Sequence, residues 1–172
     1  ICTHCYSWTM LKTFRKNMAP ALERNSILLN SKILHPDALP VINQAFFRFN
    51  SHGELALDKK KATINLINYI NIAIKNPHCN FTLWTKRFDI IKPYFDKNKK
   101  PKNFILVYSN PKINHIFKKP PTHFDKTFNN VYENIEVKKQ NCTGQKCKDC
   151  LLCYKLNTTD TIVEKVKSYG KK

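Results

Sequence analysis

The segment from Asn141 to Tyr154, NCTGQKCKDCLLCY, constrains this chain more than any other, because it crowds Cys142, Cys147, Cys150 and Cys153 into one short loop. Between Lys138 and Cys150 there is no aliphatic or aromatic side chain. Such a stretch cannot bury enough apolar surface to offset the entropy of ordering its own backbone. Something other than its own hydrophobic contacts must hold it. Thiolate ligation of a metal would do so, since metal-binding energy in such sites is folding energy, on the order of 10 kcal/mol for structural zinc. Gly144 offers the sharp turn that the loop needs.

Disulfides would suit four close cysteines in a secreted protein. Against them stand a cysteine total of seven, which is odd, the lack of an apolar segment behind a basic start, and a composition rich in Lys, Asn and Ile. From these features a reducing cytoplasm is expected, which leaves zinc against iron-sulfur. Cys142, Cys147 and Cys150 follow the C-x4-C-x2-C interval of plant-type ferredoxins, and Cys147, Cys150 and Cys153 the C-x2-C-x2-C run of bacterial ones. Zinc sites more often pair two C-x2-C knuckles across about a dozen residues. The spacing therefore favours an iron-sulfur cluster, 4Fe-4S in type, with zinc as the alternative. Lys138, Lys139, Lys146, Lys148 and Lys155 surround the thiols, and positive charge favours thiolate whichever metal binds. A second thiol pair, Cys2 and Cys5, flanks Thr3 and His4. Alone a C-x2-C fits half a metal site, a redox pair or coincidence; beside the first loop it reads as a second metal position. Cys79 stands apart, before an apolar run, and reads as a small buried hydrophobe.

A chain of 172 residues can bury a substantial core. No apolar run approaches the eighteen or so residues that span a bilayer. Thirty Lys and Arg against twelve Asp and Glu give a net charge of +18. Self-repulsion on that scale costs stability unless anions balance part of it, which points to nucleic acid or another anionic partner. A compositional bias towards Lys and Asn would give a similar excess without a partner.

Helical patterns span Tyr6 to Asn17, Ala19 to Asn30, Asp58 to Asn76 and Phe88 to Lys97, and strand patterns Ile42 to Phe49, Phe81 to Thr85 and Phe104 to Ser109. A further strand is expected around Phe128 to Tyr132. The β-α-β-α-β order predicts an α/β fold, either a partial parallel β/α barrel or an open parallel sheet, followed by a cysteine-rich metal-binding loop. The expected division is an α/β core over 1–137 and the loop with a basic tail over 138–172. In such sheets ligands gather at the carboxyl ends of the strands. Those tips carry Arg48 with Asn50 to Glu54, then Thr85, Lys86 and Arg87, then Ser109 and Asn110.

Five motifs in order, CTHCYS, RFNSHGEL, FTLWTKR, VYSNP and NCTGQKCKDCLLCYK, give the chain a resemblance to the phage family called gene product 88 over nearly its whole length. That resemblance implies a viral or prophage origin, and with it the host cytoplasm. A remoter likeness is to radical S-adenosylmethionine (SAM) enzymes, partial β/α barrels with a C-x3-C-x2-C loop after the first strand. By that likeness Cys2 and Cys5 match the last two thiols, His4 takes the place of an aromatic, and Gly53-Glu54 matches the turn that grips the SAM amino group. The first thiol would lie four residues before Cys2. Either the sequence begins after its first strand and that cysteine, or the chemistry has been lost.

Arg48 sits among Phe46, Phe47 and Phe49, where a charge needs a partner; Glu54 is the nearest candidate. Lys86 and Arg87 fit a phosphate or carboxylate of a substrate, or a plain solvated surface. His35, His52, His115 and His123 are scattered and read as surface or satisfied core groups, while Trp8, Trp84, Tyr94 and Tyr108 offer rings for stacking on bases but read as core from their apolar neighbours. The chain has no Walker loop, G-x-G-x-x-G, nucleophile elbow or H-E-x-x-H, and with three glycines a phosphate-cradling loop is not expected.

Overall fold

The computed structural model of the protein describes residues 6–132 and 140–166. In chain order it comprises α1 (Tyr6–Lys12), α2 (Ala19–Ser31), β1 (Phe46–Phe49), α3 (Lys59–Lys75), β2 (Asn80–Thr85), α4 (Phe88–Phe95), β3 (Phe104–Ser109), β4 (Lys126–Val131), α5 (Cys147–Cys150) and β5 (Thr161–Lys165). The strands form one open, five-stranded sheet in the order β1-β2-β3-β4-β5, with all four pairings parallel. The open parallel sheet expected from the sequence is therefore present. The fifth strand, within the segment read as a cysteine loop and basic tail, was not anticipated.

The longest helix, α3, forms where the sequence allows it to start and stop. Asp58 caps α3, its Oδ1 accepting from the Lys61 N–H at 2.8 Å. Pro77 follows Asn76, the residue that closes the helix. One stripe of α3, comprising Ala62, Leu66, Tyr69, Ile70 and Ala73, is buried. It packs with α4 against Phe49, Phe81, Leu83, Phe104 and Leu106. These residues alternate along β1, β2 and β3, so they define one face of the sheet. Phe49 stacks on Tyr69 at 4.1 Å and on Phe81 at 5.2 Å between ring centroids. Cys79 is fully buried in the same cluster, as the sequence suggested.

The opposite face carries Phe46, Arg48, Thr82, Trp84, Ile105, Val107, Lys126, Phe128, Ile162 and Glu164, again by alternation along strands in the observed register. No helix longer than one turn packs on it among the described residues. Ile105, Val107, Phe128 and Ile162 form a separate apolar cluster, against which Trp84, Cys142 and Cys153 pack. The second face is thus roofed by the cysteine loop.

Loops attach to this frame through buried asparagines. Asn76 accepts from the Ile42 N–H at 2.7 Å and donates to the carbonyls of Pro40 at 3.0 Å and Ile72 at 2.8 Å. Asn68 accepts from the Leu34 N–H and donates to the carbonyls of Leu29 and Lys32, each at 2.9 Å, which ties the end of α2 to α3. Asn129 accepts from the Phe117 N–H at 3.0 Å and from Asn110 Nδ2 at 3.1 Å, holding the irregular β3–β4 connection. A buried backbone group stripped of its partner costs about 1–3 kcal/mol. Asn76→Ala is expected to lower stability by about 2 kcal/mol, seen as a lower denaturant midpoint at an unchanged slope; an unaltered midpoint would show that Asn76 does not hold the Pro40–Ile42 segment.

Candidate metal centre

Residues 141–154 reach the sheet from its β5 edge. The N–H groups of Asn141 and Cys142 donate to the Val163 carbonyl at 3.3 and 3.1 Å. The Asn141 side chain accepts from the Val163 N–H at 2.9 Å and donates to the Thr161 carbonyl at 2.9 Å. Cys142 and Glu164 form an isolated parallel bridge. The loop thereby pairs part of the edge strand that would otherwise expose its donors and acceptors.

Gly144 then turns the chain at φ +86°, as expected of the residue read as the loop's sharp turn. Gln145 ties the two sides of that turn together. Its Oε1 accepts from the N–H and the hydroxyl of Thr143 at 2.6 and 2.8 Å, and its Nε2 donates to the Asn141 carbonyl at 3.0 Å and to Cys150 Sγ at 3.3 Å. The single turn α5 places Cys147 and Cys150 three residues apart on one side. Leu151, in the left-handed region at φ +55°, ends that turn and sends Leu152, Cys153 and Tyr154 back towards the sheet. Tyr154 is buried with its ring 4.8 Å from that of Phe46 on β1.

The result is one cavity walled by Cys142, Gln145, Cys147, Cys150, Leu151, Leu152, Cys153, Tyr154 and Ile162. All four loop cysteines share it, and all five described cysteines are free thiols. The sequence predicted ligands converging on one ion. Among the described residues, however, no three His, Cys, Asp or Glu side chains are gathered into a metal-ligating group. Cys142 Sγ faces Glu164 Oε1 at 3.9 Å, and Cys150 Sγ accepts from Gln145 Nε2 at 3.3 Å. Burial pushes the Cys153 thiol up to about 12, with Arg48 opposing and the other three loop cysteines adding to the rise. Burial, and then Glu164, push Cys142 up as well. Cys153 and Cys142 are therefore held towards the neutral thiol, and a cation beside them would favour the thiolate.

The same face holds two cations. Arg48 lies over the Trp84 ring, 3.9 Å from its centroid, and Trp84 packs on Phe128 at 4.3 Å. The pairing with Glu54 read from the sequence is not made. Lys126 is 1% exposed, and its ammonium donates to Thr158 Oγ1 at 2.9 Å and the Thr159 carbonyl at 2.6 Å. Thr158 in turn donates to the carbonyls of Leu152 and Lys155 at 3.1 and 3.0 Å, so Lys126 anchors the trailing end of the loop. Burial lowers its affinity for the proton.

The other strand-tip residues have structural partners. Glu54 accepts from the Thr85 hydroxyl at 2.5 Å, the Lys86 N–H at 2.8 Å and the Leu55 N–H at 2.9 Å. Gly53, at φ +113°, takes the chain to it. Arg87 forms a two-pronged bond with Asp89 at 2.8 and 2.9 Å and donates to the carbonyls of Ala56 and Leu57. Its guanidinium holds the Asp89 carboxyl below the usual range. The Lys86 side chain is exposed. His52 contacts Arg15 at 3.1 Å and Ser7 at 3.2 Å, bringing α1 to the tip of β1. Cys2, His4, Cys5, Lys138 and Lys139 lie outside the described residues. Sequence reasoning missed Gln145, Lys126 and Asn141. A glutamine two residues from Thr143 and a lysine inside a strand offered some signal, but only the fold shows what they bond.

Fold and loop together define a class, an open parallel α/β sheet with helices on one face and a cysteine loop on the other. The family model described as gene product 88 matches residues 1–156. The chain belongs to that family. No curated protein and no solved structure matches it, and the likeness to radical-SAM enzymes finds no support in these comparisons. Among the described residues no helix is long and apolar enough to cross a membrane.

Replacing Glu54 leaves one hydroxyl and two N–H donors without their acceptor. Glu54→Ala is expected to cost about 2 kcal/mol of stability and Glu54→Gln less, because the amide keeps one accepting oxygen. Equal stability of the wild type and both variants in urea titrations would show that Glu54 does not join the tips of β1 and β2.

Proposed function

We propose that the protein is an iron-sulfur protein whose cluster is held by Cys142, Cys147, Cys150 and Cys153. The observation that carries this reading is that these four thiols wall one cavity on the covered face of the sheet. Bringing the sulfurs to a common ion requires a local rearrangement of this loop. Asn141, Tyr154 and Thr158 pin the loop's two ends, and the single-turn α5 lies between them. The spacing favours iron-sulfur over zinc. Gln145 Nε2, 3.3 Å from Cys150 Sγ, is an N–H donor to a ligand sulfur of the kind that tunes clusters. Cluster binding would also supply the ordering energy that the apolar-poor stretch lacks.

Glu54 is poorly placed to hold SAM. Assigned by resemblance to the SAM amino group, it already accepts three hydrogen bonds, leaving about one of its four acceptor sites. The protein purified without oxygen is expected to be brown, to absorb near 400 nm and to contain about four iron atoms and as many sulfides per chain. Cys147→Ser and Cys153→Ser are expected to lose most of the iron and to make residues 140–158 sensitive to protease. A colourless wild type with about one zinc per chain would replace the cluster by a zinc staple; a metal-free wild type would end both.

The net charge of +18, with Lys59, Lys60, Lys61, Lys86, Lys97, Lys99 and Lys102 exposed, supports a second reading, in which zinc staples the loop and the charge serves nucleic acid. Oligonucleotide affinity is then expected to fall at least about tenfold between low and moderate salt, as counterion release demands. Affinity that stays flat in that range would exclude it.

A further inference from the structure

Among the described residues, Arg48 is the one base on the covered face whose situation the fold alone does not explain. It stands on β1 opposite Thr82 of β2, and its guanidinium lies over the Trp84 ring. Its Nε is buried with no hydrogen-bond partner. Among the described residues it forms no ion pair; the carboxylates of Asp89, Asp96 and Asp125 pair with other bases, and Glu54 faces Thr85 and Lys86. Arg48 is half-buried; a guanidinium stays charged at any pH a protein tolerates, and a charge partly drawn out of water without an anion carries a cost.

Beside it lies the thiol cavity. Phe46, two residues before Arg48 on the same face, touches Tyr154. Trp84, beneath Arg48, packs in the same cluster as Cys142 and Cys153. Arg48 acts electrostatically on both Cys153 and Tyr154. In the strand register Trp84 and Lys126 flank Val107, so the buried ammonium of Lys126 stands on the other side of the same row, and its field too is coupled to Cys153. Glu164, beside Cys142, is the acid on this face. Four thiolates around a doubly positive cluster core leave a net dianion, and reduction adds one more negative charge.

We propose that Arg48, stacked on Trp84, is an electrostatic positioning residue for the centre held by the cysteine quartet, balancing its negative charge from the β1 side while Lys126 does so from the β4 side. This rests on the iron-sulfur reading above. Because a nearby positive charge favours the more negative, reduced cluster, Arg48 raises the reduction potential and sets which electron donors can reach it. Half-buried on the covered face, it is screened by salt less than the exposed lysines are.

The test is a dithionite titration of the anaerobically purified protein, wild type against Arg48→Met and Arg48→Lys, in low salt and in 0.5 M salt. Arg48→Met keeps much of the packing volume and removes the charge; Arg48→Lys keeps the charge and loses the planar stack. The expected result is an iron content close to wild type in both variants, with the oxidised-to-reduced equilibrium of Arg48→Met moved about tenfold towards oxidised, 59 mV lower for a one-electron couple. Arg48→Lys is expected to stay within a third of that shift, and the difference between variants to survive added salt. A purely structural Arg48 would give the reverse order, Met tolerated and Lys not, with potentials unmoved in any variant that retains iron; that outcome overturns the proposal and leaves the cluster standing. Should Arg48→Met fail to fold, Arg48→Gln and Lys126→Met are read in the same titration, and an unmoved potential in both overturns it equally. Iron missing from the wild type itself overturns the cluster and this role together.

Discussion

A parallel sheet has two apolar faces, and both must be covered. In this protein that requirement organises everything else. Right-handed crossovers between strands in sequential order return to the same side, which is where α3 and α4 pack on Phe49, Phe81, Leu83, Phe104 and Leu106. The other face is left to a segment that supplies only a few apolar groups, Leu151, Leu152, Cys153 and Tyr154. The cover is therefore built from anchors. Asn141 holds one end to β5, the ring of Tyr154 meets Phe46 on β1, and Thr158 receives the Lys126 ammonium from β4. A loop tied to three different strands can be poor in hydrophobic residues and still exclude water from the sheet, provided the thiol-rich span between its anchors has its own source of order.

Elements driven by local pattern were legible in the sequence. The α3 stripe, its Asp58 cap and the break at Pro77 were visible because 3.6-residue periodicity, an N-cap and a proline all act within a few residues of one another. Phe104 to Ser109 was readable because a buried parallel strand is a short run of apolar residues. β5 was not: its sequence, Thr-Ile-Val-Glu-Lys, is short, half polar and preceded by Thr158, Thr159 and Asp160. What makes it a strand is β4 and the Asn141 side chain on its two sides. The buried asparagines were hidden for a different reason. In a chain rich in Lys and Asn, Asn68, Asn76 and Asn129 look compositional, yet each satisfies backbone groups remote in sequence. Long-range hydrogen bonding leaves no periodicity to read.

The site divides along the same line. That Cys142, Cys147, Cys150 and Cys153 belong together follows from spacing alone, and they share a cavity. Which face of the sheet that cavity opens on, and which charges stand there, depends on strand register. Arg48 was identified as a charge in need of a partner, and its neighbours Phe46, Phe47 and Phe49 made that need plain. The partner expected was Glu54, close in sequence. The strand's alternation instead sends Arg48 to Trp84 on the covered face, while Glu54 closes on Thr85 and Lys86. Proximity along a chain is a poor guide to pairing where each successive side chain points the opposite way.

The motifs that carry the sequence resemblance lie far apart along the chain, but several of them form one connected set of contacts. RFNSHGEL contributes Arg48 and Glu54, and FTLWTKR contributes the Trp84 ring, the Thr85 hydroxyl and the Lys86 N–H that receive them. Arg87 closes the junction by reaching back to the carbonyls of Ala56 and Leu57 while Asp89 fixes its direction. The cysteine motif then meets the first strand through Tyr154 and Phe46. Glu54 and Arg87 act at the strand tips, where a parallel sheet presents its ligand-bearing loops; Arg48, Trp84 and Phe46 act on the covered face behind them. A change at the β1–β2 tip would therefore reach the thiol cavity through two adjacent strands rather than through a flexible linker. The strand tips and the anchored ends of the cysteine loop thus meet through β1 and β2, and the residues that fix backbone geometry at the tips also fix where Arg48 stands on the covered face.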